Sequence, residues 1–253
     1  MIEVKGLKKS FGEHEVLKGI DVNFQKGKTN LIIGRSGSGK TVFLKSVLGL
    51  HDVDEGSIKY DGRDVGAMSK DDRKLLRQEI GMVFQGGALF DSQTVLENVM
   101  FPLNFFTDMS ESEKRDRADF CLSRVRLDGA HDKFPAEISG GMQKRVAIAR
   151  AISMNPKYLF CDEPNSGLDP ETAIVIDNLI QEITHEFDIT TVVNTHDMNS
   201  VLEIGDHIIL LKEGYRVWEG DKDEILQSED QAVLDFVFSS ELFKKVRAAF
   251  KQG

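Results

Sequence analysis

Eight consecutive residues, Gly34-Arg35-Ser36-Gly37-Ser38-Gly39-Lys40-Thr41, satisfy the pattern G-x-x-x-x-G-K-S/T without a departure. Glycines at these positions let backbone N–H groups turn inward around phosphate oxygens. Lys40 supplies positive charge to the terminal phosphates, and the Thr41 hydroxyl is suited to Mg2+. The apolar run Leu31-Ile32-Ile33 reads as a strand entering this loop. Behind it, Leu44, Val47 and Leu48 recur at helical spacing, with Gly49 as a C-terminal stop. The helix beginning near Lys40 adds its positive N-terminal end. Strand, glycine loop and helix in that order make a nucleotide site, rather than a glycine turn that happens to match.

Such a loop needs a second Mg2+ partner and a group to orient the attacking water. The apolar run Tyr158-Leu159-Phe160-Cys161 ends in Asp162-Glu163, which places Asp162 at a carboxyl-terminal sheet edge where ligands of α/β folds collect. Glu163 points in a different direction and is suited to act as a base. Paired acids at a strand end also occur as solvated turns or helix caps. A further anion-receptive helix start is Ile138-Ser139-Gly140-Gly141-Met142-Gln143, followed by a helical run to about Met154. One P-loop in one chain has no internal need for it. Two chains arranged head-to-tail would let the Ser139-Gly140-Gly141 of each cap the γ-phosphate held by the other; the simpler alternative is an ordinary glycine-containing helix start.

The elements that must carry these residues are legible from periodicity. Ile20, Val22 and Phe24 alternate with Asp21 and Asn23, as antiparallel strands do. Thr190-Thr191-Val192-Val193 reads as another buried strand. Ala173, Ile176, Ile180, Ile183 and Phe187 form one helical face, with Asp169 as N-cap and Pro170 as first helical residue. Strands alternating with helices imply a parallel sheet covered on both faces. Residues 86–155 are predominantly helical in pattern and read as an inserted subdomain. Ile208 to Trp218, turning at Glu213-Gly214, looks like a terminal hairpin. The expected organisation is 1–85 and 156–220 as two parts of a nucleotide-binding core, 86–155 as the helical subdomain, and 221–253 as a C-terminal extension. In that extension Leu234, Phe238 and Leu242 are spaced by four, with Val237 and Val246 beside them and Lys244, Lys245 and Arg247 toward the end. This reads either as a packed terminal helix or as a contact to a second subunit.

Composition bounds the function classes. Of 253 residues, 32 are Lys or Arg and 42 are Asp or Glu, for a formal charge of −10, which is a poor basis for general nucleic-acid binding. No apolar run approaches the ~20 residues that span a bilayer, and Met1-Ile2-Glu3-Val4-Lys5 lacks the core of a signal peptide. Two cysteines, Cys121 and Cys161, make no disulfide framework, so a reducing cytosol is the default.

With these motifs in order, the chain resembles the nucleotide-binding subunit of ABC transporters over residues 2 to 225. The resemblance implies an α/β P-loop NTPase (RecA-like) core with a mixed, mainly parallel sheet, an antiparallel β subdomain and an inserted helical subdomain. Gly34 to Thr41 match Walker A, and Tyr158 to Asp162 match Walker B with Glu163 as catalytic base. Gln85, in Val83-Phe84-Gln85, matches the Q-loop glutamine that senses Mg2+ and the membrane partner. Ser166-Gly167-Leu168-Asp169 match the D-loop, bringing Asp169 to the nucleotide. His196, in Asn194-Thr195-His196-Asp197, matches the switch histidine that contacts the γ-phosphate. Phe11 matches the aromatic that stacks on adenine, where the family more often has tyrosine, and Val16 is a second adenine contact; read alone, Phe11 beside Gly12 is a core aromatic. The signature departs from Leu-Ser-Gly-Gly-Gln at Ile138 and Met142 but keeps Ser139-Gly140-Gly141. The implied cofactors are ATP and Mg2+, and the implied assembly is a homodimer sandwiching ATP.

Within the family, Phe84 to Asp91, Thr94-Val95, Glu97-Asn98-Val99, Phe101-Pro102-Leu103 and the Ser139-Gly140-Gly141-Met142 signature with Lys144-Arg145-Val146-Ala147 look like the ATPase of Mla-type lipid transporters. That implies phospholipid trafficking with an integral membrane permease and an MCE-domain protein, on the cytoplasmic face of the inner membrane. It also implies that a permease coupling helix enters a groove behind the Q-loop. The apolar residues Ala88, Leu89, Phe90, Val99, Phe101, Leu103, Phe105 and Phe106 suit such a groove, and equally suit the core of the helical subdomain. Two rivals are a soluble ABC ATPase without a permease and a transporter of amino acids, metals or lipoproteins. The segment between Thr41 and Ser139 is too short for the coiled coil of DNA-repair forms, and one cassette per chain excludes the translation forms; cofactor assembly stays open.

Overall fold

The computed structural model describes residues 1–250; of the extension read above as 221–253, residues 251–253 lie outside the described residues. The chain divides into two compact units, Met1–Met68 with Val192–Gly253, and Ser69–Thr191. The first unit opens with β1 (Ile2–Phe11), β2 (His14–Phe24), β3 (Thr29–Ile33), α1 (Lys40–Val47), β4 (Glu55–Tyr60) and β5 (Arg63–Asp64). The second contains α2 (Lys70–Gln78), β6 (Ile80–Val83), α3 (Val95–Phe106), α4 (Glu111–Arg124), α5 (Gly140–Ile152), β7 (Tyr158–Asp162) and α6 (Pro170–Glu186). The division falls within β8 (Thr190–Asn194), after which the first unit resumes with α7 (Met198–Ile204), β9 (His207–Lys212), β10 (Tyr215–Gly220), α8 (Lys222–Gln227), α9 (Gln231–Phe236) and α10 (Glu241–Phe250).

In the first unit an antiparallel sheet has the order β2-β1-β4-β5. Ile2 lies opposite Phe24 and Val4 opposite Val22, and Ile20, Val22 and Phe24 are all buried, as the two-residue period requires of one sheet face. A second run has the order β10-β9-β3-β8, with β3 parallel to β9 and β9 antiparallel to β10. In the second unit β6 is parallel to β7. Every residue of β3 and β8 is buried, the pattern of parallel strands covered on both faces. The architecture is therefore α/β with mixed, mainly parallel strands, an antiparallel sheet and a helical stretch, as expected.

The long helix α6 starts as read, with Asp169 as N-cap and Pro170 as first residue, and buries Ala173, Ile176, Ile180 and Ile183. Phe187 departs from the expected face. Asp188 takes a left-handed φ of 52°, which ends the helix at Glu186 and leaves Phe187 36% exposed against the Phe120 ring. The helices α3 and α4 each begin with a capping box, Thr94 with Glu97 and Ser110 with Glu113, which satisfies orphan N–H groups reciprocally.

The C-terminal extension is broken where its periodicity read as continuous. Ser239 Oγ donates to the Phe236 carbonyl at 3.1 Å, and Ser240 Oγ accepts from Phe243 N–H at 3.4 Å. These local bonds compete with the helical ladder, ending α9 and starting α10. Phe238 is consequently buried, while Leu242 is exposed.

Candidate functional site

In the first unit, β3 delivers the chain into Gly34 with a φ of 151°. A Cβ at Gly34 would lie 2.3 Å from the Leu211 carbonyl oxygen and 2.7 Å from Ser38 Oγ, so the loop closes tightly only around a glycine. Gly39, at φ 99°, starts α1 without a side-chain cap, leaving the first N–H groups of the helix to a ligand. Lys40 is buried and lies back across the loop, donating to the carbonyls of Gly34 at 2.8 Å and Arg35 at 3.2 Å. The buried Ser38 Oγ has no hydrogen-bond partner among the described residues, which leaves its hydrogen-bonding capacity open to a ligand oxygen. Arg35, Ser36 and Gly37 are exposed, and Arg35 Nη2 donates to the Asp235 carbonyl at 3.2 Å.

Thr41 accepts from Asn194 Nδ2 at 3.4 Å, which ties the start of α1 to the end of β8. His196 follows two residues later and is exposed, while Thr195 N–H donates to the Ile32 carbonyl at 3.1 Å. The P-loop, Thr41, Asn194 and His196 thus collect at the carboxyl ends of neighbouring strands, where α/β folds place ligands. Phe11, at the end of β1, is 47% exposed and is no core aromatic; it meets the His51 ring edge-on at 5.4 Å. Val16 brings its carbonyl within 3.3 Å of the position a Gly39 Cβ would take, so it borders the P-loop.

The second unit gathers a different set. Glu163 follows Asp162 at the end of β7 and adopts a left-handed φ of 47°, an uncommon conformation for a residue with a Cβ. Gln85 Nε2 donates to Glu163 Oε2 at 3.1 Å and to Ser166 Oγ at 3.4 Å. Lys144 is buried and donates from Nζ to the Gln85 carbonyl; burial holds its ammonium below the usual lysine range, and the nearby Glu163 charge opposes that. Ser139 caps α5, accepting from Met142 N–H at 3.3 Å, with Ser139 and Gly140 exposed at the helix start. Only Gly141 is sterically required, since a Cβ there would meet Thr172 Cγ2 at 2.5 Å. Asp169 uses both carboxylate oxygens on Thr172, through backbone N–H at 3.0 Å and hydroxyl at 2.7 Å, which holds its carboxyl below the usual range.

The first unit offers a hard oxygen donor in Thr41, and the second offers its own in Gln85 and Asp162. Among the described residues no group of three or more His, Cys, Asp or Glu forms a metal cluster. Oxygen donors of these kinds are the chemistry Mg2+ accepts, since it takes few protein ligands and completes its shell with phosphates and water. Sequence reading passed over Lys144, Asn194 and Arg150 as site residues. Asn194 had a signal, its place beside His196, but a cation within a helix reads as a solvated face until burial is known.

The ABC transporter family model matches residues 17–166. The chain is 39% identical over 236 residues to the probable ribonucleotide transport ATP-binding protein mkl of Mycobacterium leprae, covering 93% of this chain and 68% of the relative. It is 37% identical to the methionine import ATP-binding protein MetN of Campylobacter jejuni, with 95% and 76% covered. It is 36% identical to the intermembrane phospholipid transport system ATP-binding protein MlaF of Haemophilus influenzae, with 94% and 90% covered. The dimeric post-hydrolysis structure of the ATP-binding cassette MJ0796, bound to ADP and Pi, superposes with a TM-score of 0.79 at 36% identity, covering 88% of this chain and 99% of that one. Joined to a P-loop built for phosphate and a Gln85–Glu163 pair beside Asp162, these likenesses lead to one conclusion: this chain belongs to the ABC transporter family, as an ATP-binding subunit that uses Mg2+ and hydrolyses ATP.

Proposed function

We propose that this chain energises phospholipid transport of the Mla type, as one of two identical subunits that sandwich two ATP molecules and drive an integral membrane permease. The observation that carries the coupling is a groove in the second unit, of about 460 Å³, lined by Phe84, Ala88, Phe90, Phe101, Phe106 and Arg150 among others. It adjoins the loop whose Gln85 touches Glu163. Phe84, Phe90 and Phe106 are each at least 40% exposed, a grouping that suits a permease helix, whereas Val99 and Leu103 belong to the core.

In this reading Lys40 and the uncapped start of α1 hold the terminal phosphates, and Phe11 and Val16 hold adenine. Arg35, Ser36, Gly37, Ser38 and Gly39 wrap the phosphate chain. Thr41, Asp162 and Gln85 would hold Mg2+, which when bound supplies positive charge between the phosphates. Glu163 accepts the proton of the attacking water, and His196 contacts the γ-phosphate. Ser139, Gly140, Gly141 and Asp169 face the nucleotide of the partner subunit, so hydrolysis becomes fast only when the two chains close.

Phospholipid cargo rests on the Phe84–Leu103 motifs and on the likeness to MlaF, and with it come an MCE-domain protein and a place on the cytoplasmic face of the inner membrane. The likenesses to mkl and MetN keep an importer or exporter of other cargo as the alternative. The test is co-purification with the permease and ATP-dependent lipid transfer between vesicles. Phe106→Glu should keep ATP binding and melting temperature while losing the permease, because an unpaired charge in such a contact costs on the order of several kcal/mol. A folded Phe106→Glu protein that still binds its permease overturns the groove assignment.

A further inference from the structure

We propose that Lys144 and Arg150 are positioning residues that fasten the loop following Gln85 to α5, so that loop and helix move as one body. Gln143, Ala147 and Arg150 are spaced four and three apart and share one face of α5, with Lys144 beside it. The loop rests on that face: a Cβ at Gly87 would stand 3.9 Å from Ala147 Cβ and 3.9 Å from the Gln143 carbonyl oxygen. Arg150 donates from Nη2 to the Gly87 carbonyl at 2.8 Å and from Nη1 to the Ala88 carbonyl at 2.8 Å. Lys144 Nζ donates to the Gln85 carbonyl. Three of the four successive carbonyls from Gln85 to Ala88 are therefore held by two cations of a single helix.

The loop needs such restraint. Gly87 and Ala88 are both left-handed, at φ 74° and 48°, and an alanine persists there only where its surroundings hold it. The guanidinium gives each of the two adjacent carbonyls its own nitrogen, Nη2 for Gly87 and Nη1 for Ala88, in one rigid fork that a single ammonium does not reproduce. An apolar side chain would fill the buried Lys144 position at a lower desolvation cost, so what the lysine adds is its bond to the loop. Arg150 also lies under the Phe90 ring, 5.9 Å from its centroid, and lines the groove. A displacement in the groove is thereby passed to α5, whose first turn carries Ser139-Gly140-Gly141. This consequence rests on the roles proposed for Gln85 and the helix start; the fastening itself does not.

Hydrogen exchange of the full chain, read by mass spectrometry, separates the two. The probe is the peptide spanning 84–90, where Gly87 N–H donates to the Phe84 carbonyl at 2.8 Å. In Lys144→Met and Arg150→Lys this peptide should exchange at least about tenfold faster, with α6 unchanged. The kcat for ATP should fall about tenfold with KM within about twofold, and Lys144→Arg should restore both readings. Unchanged exchange at 84–90 in folded variants overturns the proposal, as does a fall in melting temperature with normal kcat and normal loop exchange. Should Lys144→Met not fold, Arg150→Lys decides, since it keeps the charge but loses the two-nitrogen fork that spans Gly87 and Ala88. Faster exchange with unchanged kcat supports the fastening and counts against the role given to Gln85.

Discussion

Two glycines of the P-loop offer a controlled comparison of steric and conformational cost. At Gly37 a Cβ meets nothing within 4 Å, and the only penalty is a φ of 79°, so Gly37→Ala should cost about 1 kcal/mol. At Gly34 the same methyl group would sit 2.3 Å from the Leu211 carbonyl oxygen, besides being strained at φ 151°. Ordinary contact requires the loop and β9 to part by about 1 Å, and overpacking of that kind adds about 1–3 kcal/mol to a similar backbone strain. Gly34→Ala should therefore lose about 2–4 kcal/mol, a large share of the stability of any domain. The same displacement moves the phosphate cradle, and a shift near 1 Å costs about a hundredfold in turnover. Urea unfolding followed by the fluorescence of Trp218, the single tryptophan and part of β10, reports on this unit. Equal unfolding midpoints for the two variants would refute the clash, and normal ATP turnover in Gly34→Ala would refute its link to the phosphate site.

Lys40→Ala should abolish hydrolysis and weaken ATP binding by titration calorimetry while leaving circular dichroism unchanged; turnover near wild type would falsify the site. Glu163→Gln should retain ATP affinity and stop turnover, because an amide cannot accept the water's proton, and light scattering should then report a dimer with ATP and Mg2+; a monomer in excess nucleotide counts against the sandwich. Burial pushes the Cys121 thiol from 9.0 up to about 11 and the Cys161 thiol higher still, so at pH 8 iodoacetamide should modify neither in the folded chain and both in urea. Because these pKa values are raised, the thiols' stabilising contribution is present below pH 9.0 and lost as pH rises above it; native alkylation at pH 8 would contradict the burial.

What the sequence determined by itself is whatever depends on neighbours along the chain. Hydrogen-bond geometry and glycine freedom act over a few residues, so the P-loop, the Asp169-Pro170 start of α6 and the alternation of Ile20, Val22 and Phe24 were readable directly. The antiparallel and parallel strands followed, since their faces are written in a period of two or in unbroken apolar runs. Tertiary structure decided the questions that turn on burial. Periodicity cannot tell Leu103 in the core from Phe106 on the surface, because both are apolar and three residues apart on α3. It ran α9 and α10 together, because the serine bonds that separate them are local while the packing of Phe238 is not. It also left Lys144 and Arg150 as ordinary helix cations, because a cation's partners are carbonyls some sixty residues away, and only the folded chain brings those carbonyls within reach.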